Sequence, residues 1–298
     1  LTETGVGTEY TRTVTAHTDM QQTLVEVYFS APDRQKTFTA AGVNFGMKLV
    51  NPVENGTVGS NDVDDNHEHT ISLSTYYIAD TEVTQELYQA VMGDNPSFYN
   101  DNPLSGDVQE KRPVENVTWY KAVLFCNELT EKAGLPESEC VYWCEGQVYT
   151  FNALQNGKEP EMRMEKRGFR LPTEAEWEWA AQDQGKRRTW AGTNDESSVG
   201  TYAWHQTNST KTREVKNLQS TDTGLYDMSG NVAEWCWDWY TDSTPADGYI
   251  NPAGASSGTE HAIRGGSYNS SASGIKCAFR DKSWNGNKDV GLRVVKRP

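Results

Sequence analysis

From residue 186 to residue 298 the chain shows no helical periodicity, yet it is dense in Gly, Asn, Ser and Trp. Such a stretch can fold only if large side chains close a core around its loops, because irregular backbone has little ladder hydrogen bonding to offset its ordering. The 10 Trp, 14 Tyr and 8 Phe supply those side chains. They set the chain apart from a disordered acidic polymer, although only 36% of it is hydrophobic and its mean hydropathy is -0.75. With 27 Lys+Arg against 42 Asp+Glu the formal net charge is -15, which argues against a nucleic-acid partner. No apolar run reaches the roughly 18 residues of a membrane-spanning helix.

Ahead of that half the pattern is more regular. Residues 8–50 alternate apolar and polar side chains in TEYTRTVTAHT, TLVEVYFSA and KTFTAAGVNFGMKLV and read as strands. Residues 51–70 read as a loop, and ISLSTYYIAD as a further strand. Three helices are expected. The first has Thr84 as N-cap, a face of Val83, Leu87, Tyr88 and Val91, and Gly93 as its end. In the second Thr118 caps, Trp119, Ala122, Val123, Cys126 and Leu129 share a face, and Gly134 stops the run. In the third Thr173 and Glu176 form a capping box, and Trp177, Ala180 and Ala181 point inward. The fold class is α+β with little regular structure.

Five cysteines (Cys126, Cys140, Cys144, Cys236 and Cys277) leave at least one thiol unpaired within the chain. Cys140 and Cys144 are four apart, which is neither a CxxC redox spacing nor half of a zinc ribbon. His67 and His69 lie in NDVDDNHEH, which reads as a solvated loop rather than a metal site. His205 and His261 read as hydrogen-bonded packing residues rather than catalytic bases. No GxSxG, HExxH, P-loop or dinucleotide fingerprint occurs.

RPVENVTWYKAVLFCNELTEKAG, GFRLPTEAEWEWAAQ, GLYDMSGNVAEWCWDWY, IRGGSY and VGLRVV follow one another in this order. Together they resemble the sulfatase-modifying-factor family, whose founder is the formylglycine-generating enzyme. The resemblance covers residues 43–298 and implies that family's elaborated C-type-lectin fold; residues 1–42 would be an added β extension. The enzymes oxidise a substrate cysteine with copper held by two thiolates soon after the GGS motif. Here YNSSASGIKCAFR follows Gly265, Gly266 and Ser267, and Cys277 matches a more distal, structural position. The iron cluster of the family's sulfoxide synthases has no counterpart either. The resemblance therefore implies no copper site and no such chemistry, and an oxidoreductase with a divergent or lost copper site is the alternative.

The lectin fold also carries the variable proteins of diversity-generating retroelements, whose diversified segment runs from RGGS to the last strand, here residues 264–295. Adenine-directed mutagenesis of AAY codons yields mainly Asn, Ser, Tyr, Asp, Gly, His, Phe and Ile. Tyr268, Asn269, Ser270, Ser271, Ser273, Gly274, Ile275, Phe279, Asp281, Ser283, Asn285, Asn287 and Asp289 fit that set, between the framework residues Gly265, Gly266, Cys277, Arg280, Gly291 and Arg293. Tyr offers large contact area at low rotamer cost, and Ser, Gly and Asn adapt their hydrogen bonds. Trp284 is the expected exposed anchor, and Trp204 a second. The expected function is non-catalytic binding. A protein ligand is preferred to a carbohydrate, since no EPN or QPD tripeptide is present.

The resemblance further implies calcium ligation by Asn231, the Val232 carbonyl and Glu234. The alternative is a pair between Glu234 and an arginine such as Arg170 or Arg264. Trp177, Trp179, Trp235, Trp237 and Trp239 are expected in the core, and Arg170 and Arg280 as scaffold arginines. Cys126 and Cys277 match half-cystines of related enzymes, but their usual partners appear here as Val294 and Ala181, so a pairing with Cys236 stays open. Export and lipid-anchored surface display are the expected location.

Overall fold

A computed structural model describes residues 33–298 in full and, of residues 1–32, the backbone course of three strands. The chain divides into two units, residues 1–34 and 35–298. The first is an antiparallel meander of Glu3–Val6, Glu9–Thr18 and Gln21–Ser30; the last two fall where period-two alternation predicts strands, and the first lies ahead of that stretch.

The second unit begins ahead of residue 43, because Gln35–Ala40 pairs residue for residue with Val43–Val50 across a two-residue turn. Ala41 and Gly42 both have positive φ there, the geometry that a tight hairpin requires. This hairpin is one edge of a five-stranded sheet that continues through Tyr76–Ala79 and Val295–Lys296 to Phe169–Arg170. The final strand of the chain therefore lies inside the sheet, between Phe169–Arg170 and Tyr76–Ala79.

Three helices form as expected. α1 (Gln85–Met92) starts at Thr84, whose hydroxyl accepts from the Leu87 N–H, and ends at Gly93 with φ of 84°. α2 (Trp119–Lys132) is capped by Thr118 and stops just before Gly134. A short α3 (Phe151–Gln155) was not expected; Thr150 caps it. α4 (Glu174–Ala181) carries the full capping box of Thr173 and Glu176. Two expectations need correction. Within 51–70 a strand, Val53–Val58, pairs with His69–Leu73, and ISLSTYYIAD breaks at Ser74 and Thr75 into strands of two different sheets.

The irregular half is organised by a four-stranded sheet in the order Arg280–Ser283, His261–Arg264, Ala233–Trp239, Val290–Gly291. Trp177 and Trp235 are fully buried against it. Their indole N–H groups donate to Glu234 Oε2 at 2.7 Å and to the Val117 carbonyl at 2.8 Å. Trp179 is also buried, whereas Trp237 and Trp239 are only half-buried. All five cysteines are buried and free, so the open question of a Cys236 pairing resolves to none.

Candidate functional site

A turn and a lattice hold the C-terminal segment in place. Gly230 and Asn231 both have positive φ, and the turn they make gathers three stretches of chain. The Gly230 N–H donates to the Gly265 carbonyl, the Asn231 N–H to the Trp204 carbonyl, and the Tyr268 N–H to the Asn231 carbonyl. Gly266 also has positive φ, and a Cβ on it would collide with the Gly274 carbonyl. A side chain at either feature would push the segment off its scaffold, which is the physical content of the GN and GGS motifs.

Beneath the segment lies an array of buried arginine–carboxylate pairs. Arg293 forks onto Glu234 at 2.7 and 3.0 Å and also donates to the Ala79 and Tyr226 carbonyls. Arg170 is bidentate to Glu176, and Arg280 to Glu174. Arg264 bridges Glu174 and Glu178. Fork-to-fork pairing satisfies most of the donors that burial would otherwise leave costly.

This arrangement bears on the calcium expectation at Asn231, Val232 and Glu234. The turn brings the three residues together, but both Glu234 oxygens accept from Arg293 and one also from Trp177. The Asn231 amide is spent on Arg213, accepting from its N–H at 2.9 Å and donating to its carbonyl at 3.2 Å. A calcium ion would have to break these contacts, so the donor set as arranged does not fit one. Glu234 takes the arginine alternative, with Arg293 in place of Arg170 or Arg264.

The thirteen diversity-type positions and Trp284 separate by depth. Asn269, Ser273, Asp281, Trp284, Asn285 and Asn287 are exposed, with Trp284 79% exposed. Ser270, Ser271, Gly274, Phe279 and Asp289 are half-buried. Ser270, Gly274, Phe279, Asp281, Asn287 and Asp289 line a shallow depression of ≈ 160 Å³ together with Lys282 and Ser267. Tyr268, Ile275 and Ser283 turn inward, contrary to the expectation that they lie at the surface. Ile275 packs with Trp190, Val199 and Ala203, the Tyr268 hydroxyl meets that of Tyr99 at 3.0 Å, and Ser283 Oγ donates to the Asn285 carbonyl. Cys277 is likewise internal, its thiol against the Ala181 carbonyl and pushed up in pKa by burial.

A second loop flanks this face and escaped the sequence reading. The buried Glu115 carboxylate accepts from the Phe98 and Tyr99 N–H groups at 3.0 and 2.8 Å, which fixes PSFYN with Phe98 63% exposed. Lys288 stands 5.7 Å from the Phe98 ring, so the loop meets the C-terminal segment. Burial pushes the Glu115 carboxyl up to about 7 against the pull of those two N–H groups. The available signal was an aromatic pair in an otherwise polar loop between Asn95-Pro96 and Asn102-Pro103.

His205 and His261 are packing residues, as expected. The His261 ring lies 3.6 Å from those of both Trp119 and Trp239, and burial lowers its pKa to about 4. Trp204 is half-buried under the Arg213 guanidinium at 4.1 Å.

The family description "Sulfatase-modifying factor enzyme 1-like domain" matches residues 38–298. The chain belongs to this family. Its fold is the formylglycine-generating-enzyme type of C-type-lectin fold. The structure resembles Treponema denticola variable protein 1, with a TM-score of 0.83 and 43% identity over 90% of this chain and 100% of that one. In sequence the chain is 32% identical over 265 residues to the chaperone protein LppX of Paenibacillus barcinonensis, covering 77% of this chain and 82% of that protein. It is 35% identical over 117 residues to the formylglycine-generating enzyme of Streptomyces coelicolor, but that match spans only 36% of the enzyme. Among the described residues no helix is long and apolar enough to cross a membrane.

Proposed function

We propose that this family member binds a protein ligand without catalysing a reaction, and that it does so through residues 264–295 as a retroelement-diversified segment. The likeness to a variable protein at 43% identity carries this reading. The depth pattern supports it: exposed Asn269, Ser273, Asp281, Trp284, Asn285 and Asn287 can change without disturbing the buried framework of Cys277, Arg280 and Arg293. Phe98 adds a fixed apolar contact beside the changeable ones. The decisive experiment is to sequence the DNA downstream of the codon for Pro298. A near-copy of the 264–295 coding segment, differing mainly at adenines, beside a reverse-transcriptase gene is the expected result. Absence of any such copy would overturn the diversified version.

The coverage of LppX favours a second reading, a fixed chaperone-type binding protein on the same scaffold. It predicts no template repeat and a face that captures unfolded client chains. An oxidoreductase is the third reading, and oxygen consumption with a thiol peptide and added copper tests it; the absence of turnover is expected. Surface display through a lipid anchor accompanies the binding role, and an export signal with an acylatable cysteine upstream in the gene is the expected finding.

A further inference from the structure

One sizeable cleft belongs to neither the display face nor its flanking loop. It holds ≈ 530 Å³ and lies between α4, the end of the Ala233–Trp239 strand and the loop 241–255. That volume is in the range of small-molecule sites, which combine apolar walls with few polar groups. Val58, Ile71 and Pro252 line the walls, and Tyr249 and Ile250 stand at the rim, Ile250 76% exposed.

The floor is charged, and nearly all of that charge is spent. The Glu174 oxygens accept from Arg264 and Arg280. Those of Glu178 accept from Arg264, Asn66, Gln182 and the Gly59 N–H. Arg280 uses its remaining donors on the Asp65, Thr241 and Ser243 carbonyls, which staples the loop down. Arg264 keeps an unpaired Nε, but that atom is sealed from the cleft. Asp238 is the exception. It is 5% exposed, its Oδ2 accepts from the Glu174 N–H at 2.9 Å, and among the described residues no hydrogen bond reaches its Oδ1.

The missing side chain of Gly254 keeps that oxygen open. Gly254 has φ of 73°, and a Cβ there would stand 2.7 Å from Asp238 Cβ and 2.9 Å from Oδ1. With Arg264 and Arg280 balanced by Glu174 and Glu178, the floor carries one negative charge in excess once Asp238 gives up its proton.

We propose that this cleft binds a small organic ammonium ion, with the cation on Asp238 Oδ1 and the apolar body along Val58, Ile71 and Ile250. The site is independent of the display face. Burial, with the Glu174 charge close by, pushes the Asp238 carboxyl up to about 8, while Glu176 adds to the rise and Arg280 opposes it. At neutral pH the empty site therefore holds a proton, and an arriving ammonium displaces it. A neutral hydrogen-bond acceptor would instead keep that proton in place.

Isothermal titration of the full chain with hexylammonium, hexan-1-ol and hexanoate, in two buffers of different ionisation enthalpy, tests the site. Hexylammonium should bind at least about tenfold more tightly than the alcohol or the acid, release protons, and gain up to about tenfold in affinity per pH unit between 6 and 7.5. Asp238→Asn keeps an acceptor for the Glu174 N–H and should lose at least about tenfold in affinity. Ile250→Arg, at the exposed rim, should do the same through charge repulsion with no demand on the fold. Nα-acetyl-lysine methylamide presents the same cation on a polypeptide. Tighter binding of it than of hexylammonium assigns the natural source to a lysine side chain, and weaker binding to a free amine. Equal binding of hexanoate or hexanol, proton uptake in place of release, or no heat from hexylammonium at about 10 mM overturns the proposal.

Discussion

Arg280 and Asp281 are neighbours in one short strand and obey opposite rules. Arg280 is buried, and its guanidinium is committed to Glu174 and to three backbone carbonyls. Asp281 is exposed, and its side chain accepts from the next backbone N–H. The same contrast runs through the molecule. Below the C-terminal segment, charges are matched nearly donor for acceptor, and each pair ties segments far apart in sequence, such as Glu234 with Arg293. Above it, Asn, Ser and Trp side chains meet solvent. A lattice of this kind tolerates little, whereas a surface of this kind tolerates almost any residue, so one scaffold can keep its shape while its face changes.

Removing one half of a lattice pair should have the largest effect. Glu234→Ala leaves Arg293 buried and unpaired and should cost about 3–5 kcal/mol in urea unfolding. A loss below about 1 kcal/mol, the range of exposed pairs, would abolish the distinction between the two regions. Next come the members of the C-terminal segment that turn inward. Ile275→Ala should cost about 2–5 kcal/mol by opening a cavity among Trp190, Val199 and Ala203.

The pH dependence separates two buried groups by sign. Glu115 has a raised pKa, so its contribution is fully present below the ordinary carboxylate range and is lost as pH rises towards 7. Glu115→Gln should flatten that limb of the stability curve. His261 has a lowered pKa, so its contribution is present above about 6.5 and is lost as pH falls towards 4. His261→Gln should flatten the acid limb. Each slope is at most about 1.4 kcal/mol per pH unit. The smallest effects belong to the outer face. Trp284→Ala and Asn287→Ala should each stay within about 0.5 kcal/mol in stability, while Trp284→Ala costs at least about 2 kcal/mol in ligand binding.

The helices were legible because their signals are local. Thr84, Thr118 and Thr173 cap where expected, and the buried faces of α1 and α2 follow from spacing alone. The five ordered motifs identified the family from residue 43 onward, and its description matches from residue 38. The segment 264–295 was legible as a unit, but not the direction of each side chain. Tyr268 and Asn269 are of similar type for a binding loop, and only the Tyr99 hydroxyl opposite draws Tyr268 inside. Trp239 was expected in the core and is only half-buried, its ring against that of His261 near the end of its strand.

By itself the sequence determined three of the four α-helices, that aromatic side chains must hold together an irregular half, and which family's scaffold results. Capping, periodicity and motif order are properties of neighbours along the chain. Tertiary structure alone decided that Glu234 belongs to Arg293 rather than to Arg170 or Arg264, that Phe98 joins the C-terminal face, and that Asp238 keeps one oxygen free. Those outcomes depend on which of several chemically equivalent partners lies within about 3 Å after folding, and hydrogen-bond energy falls too steeply with distance and angle for composition or spacing to choose among them.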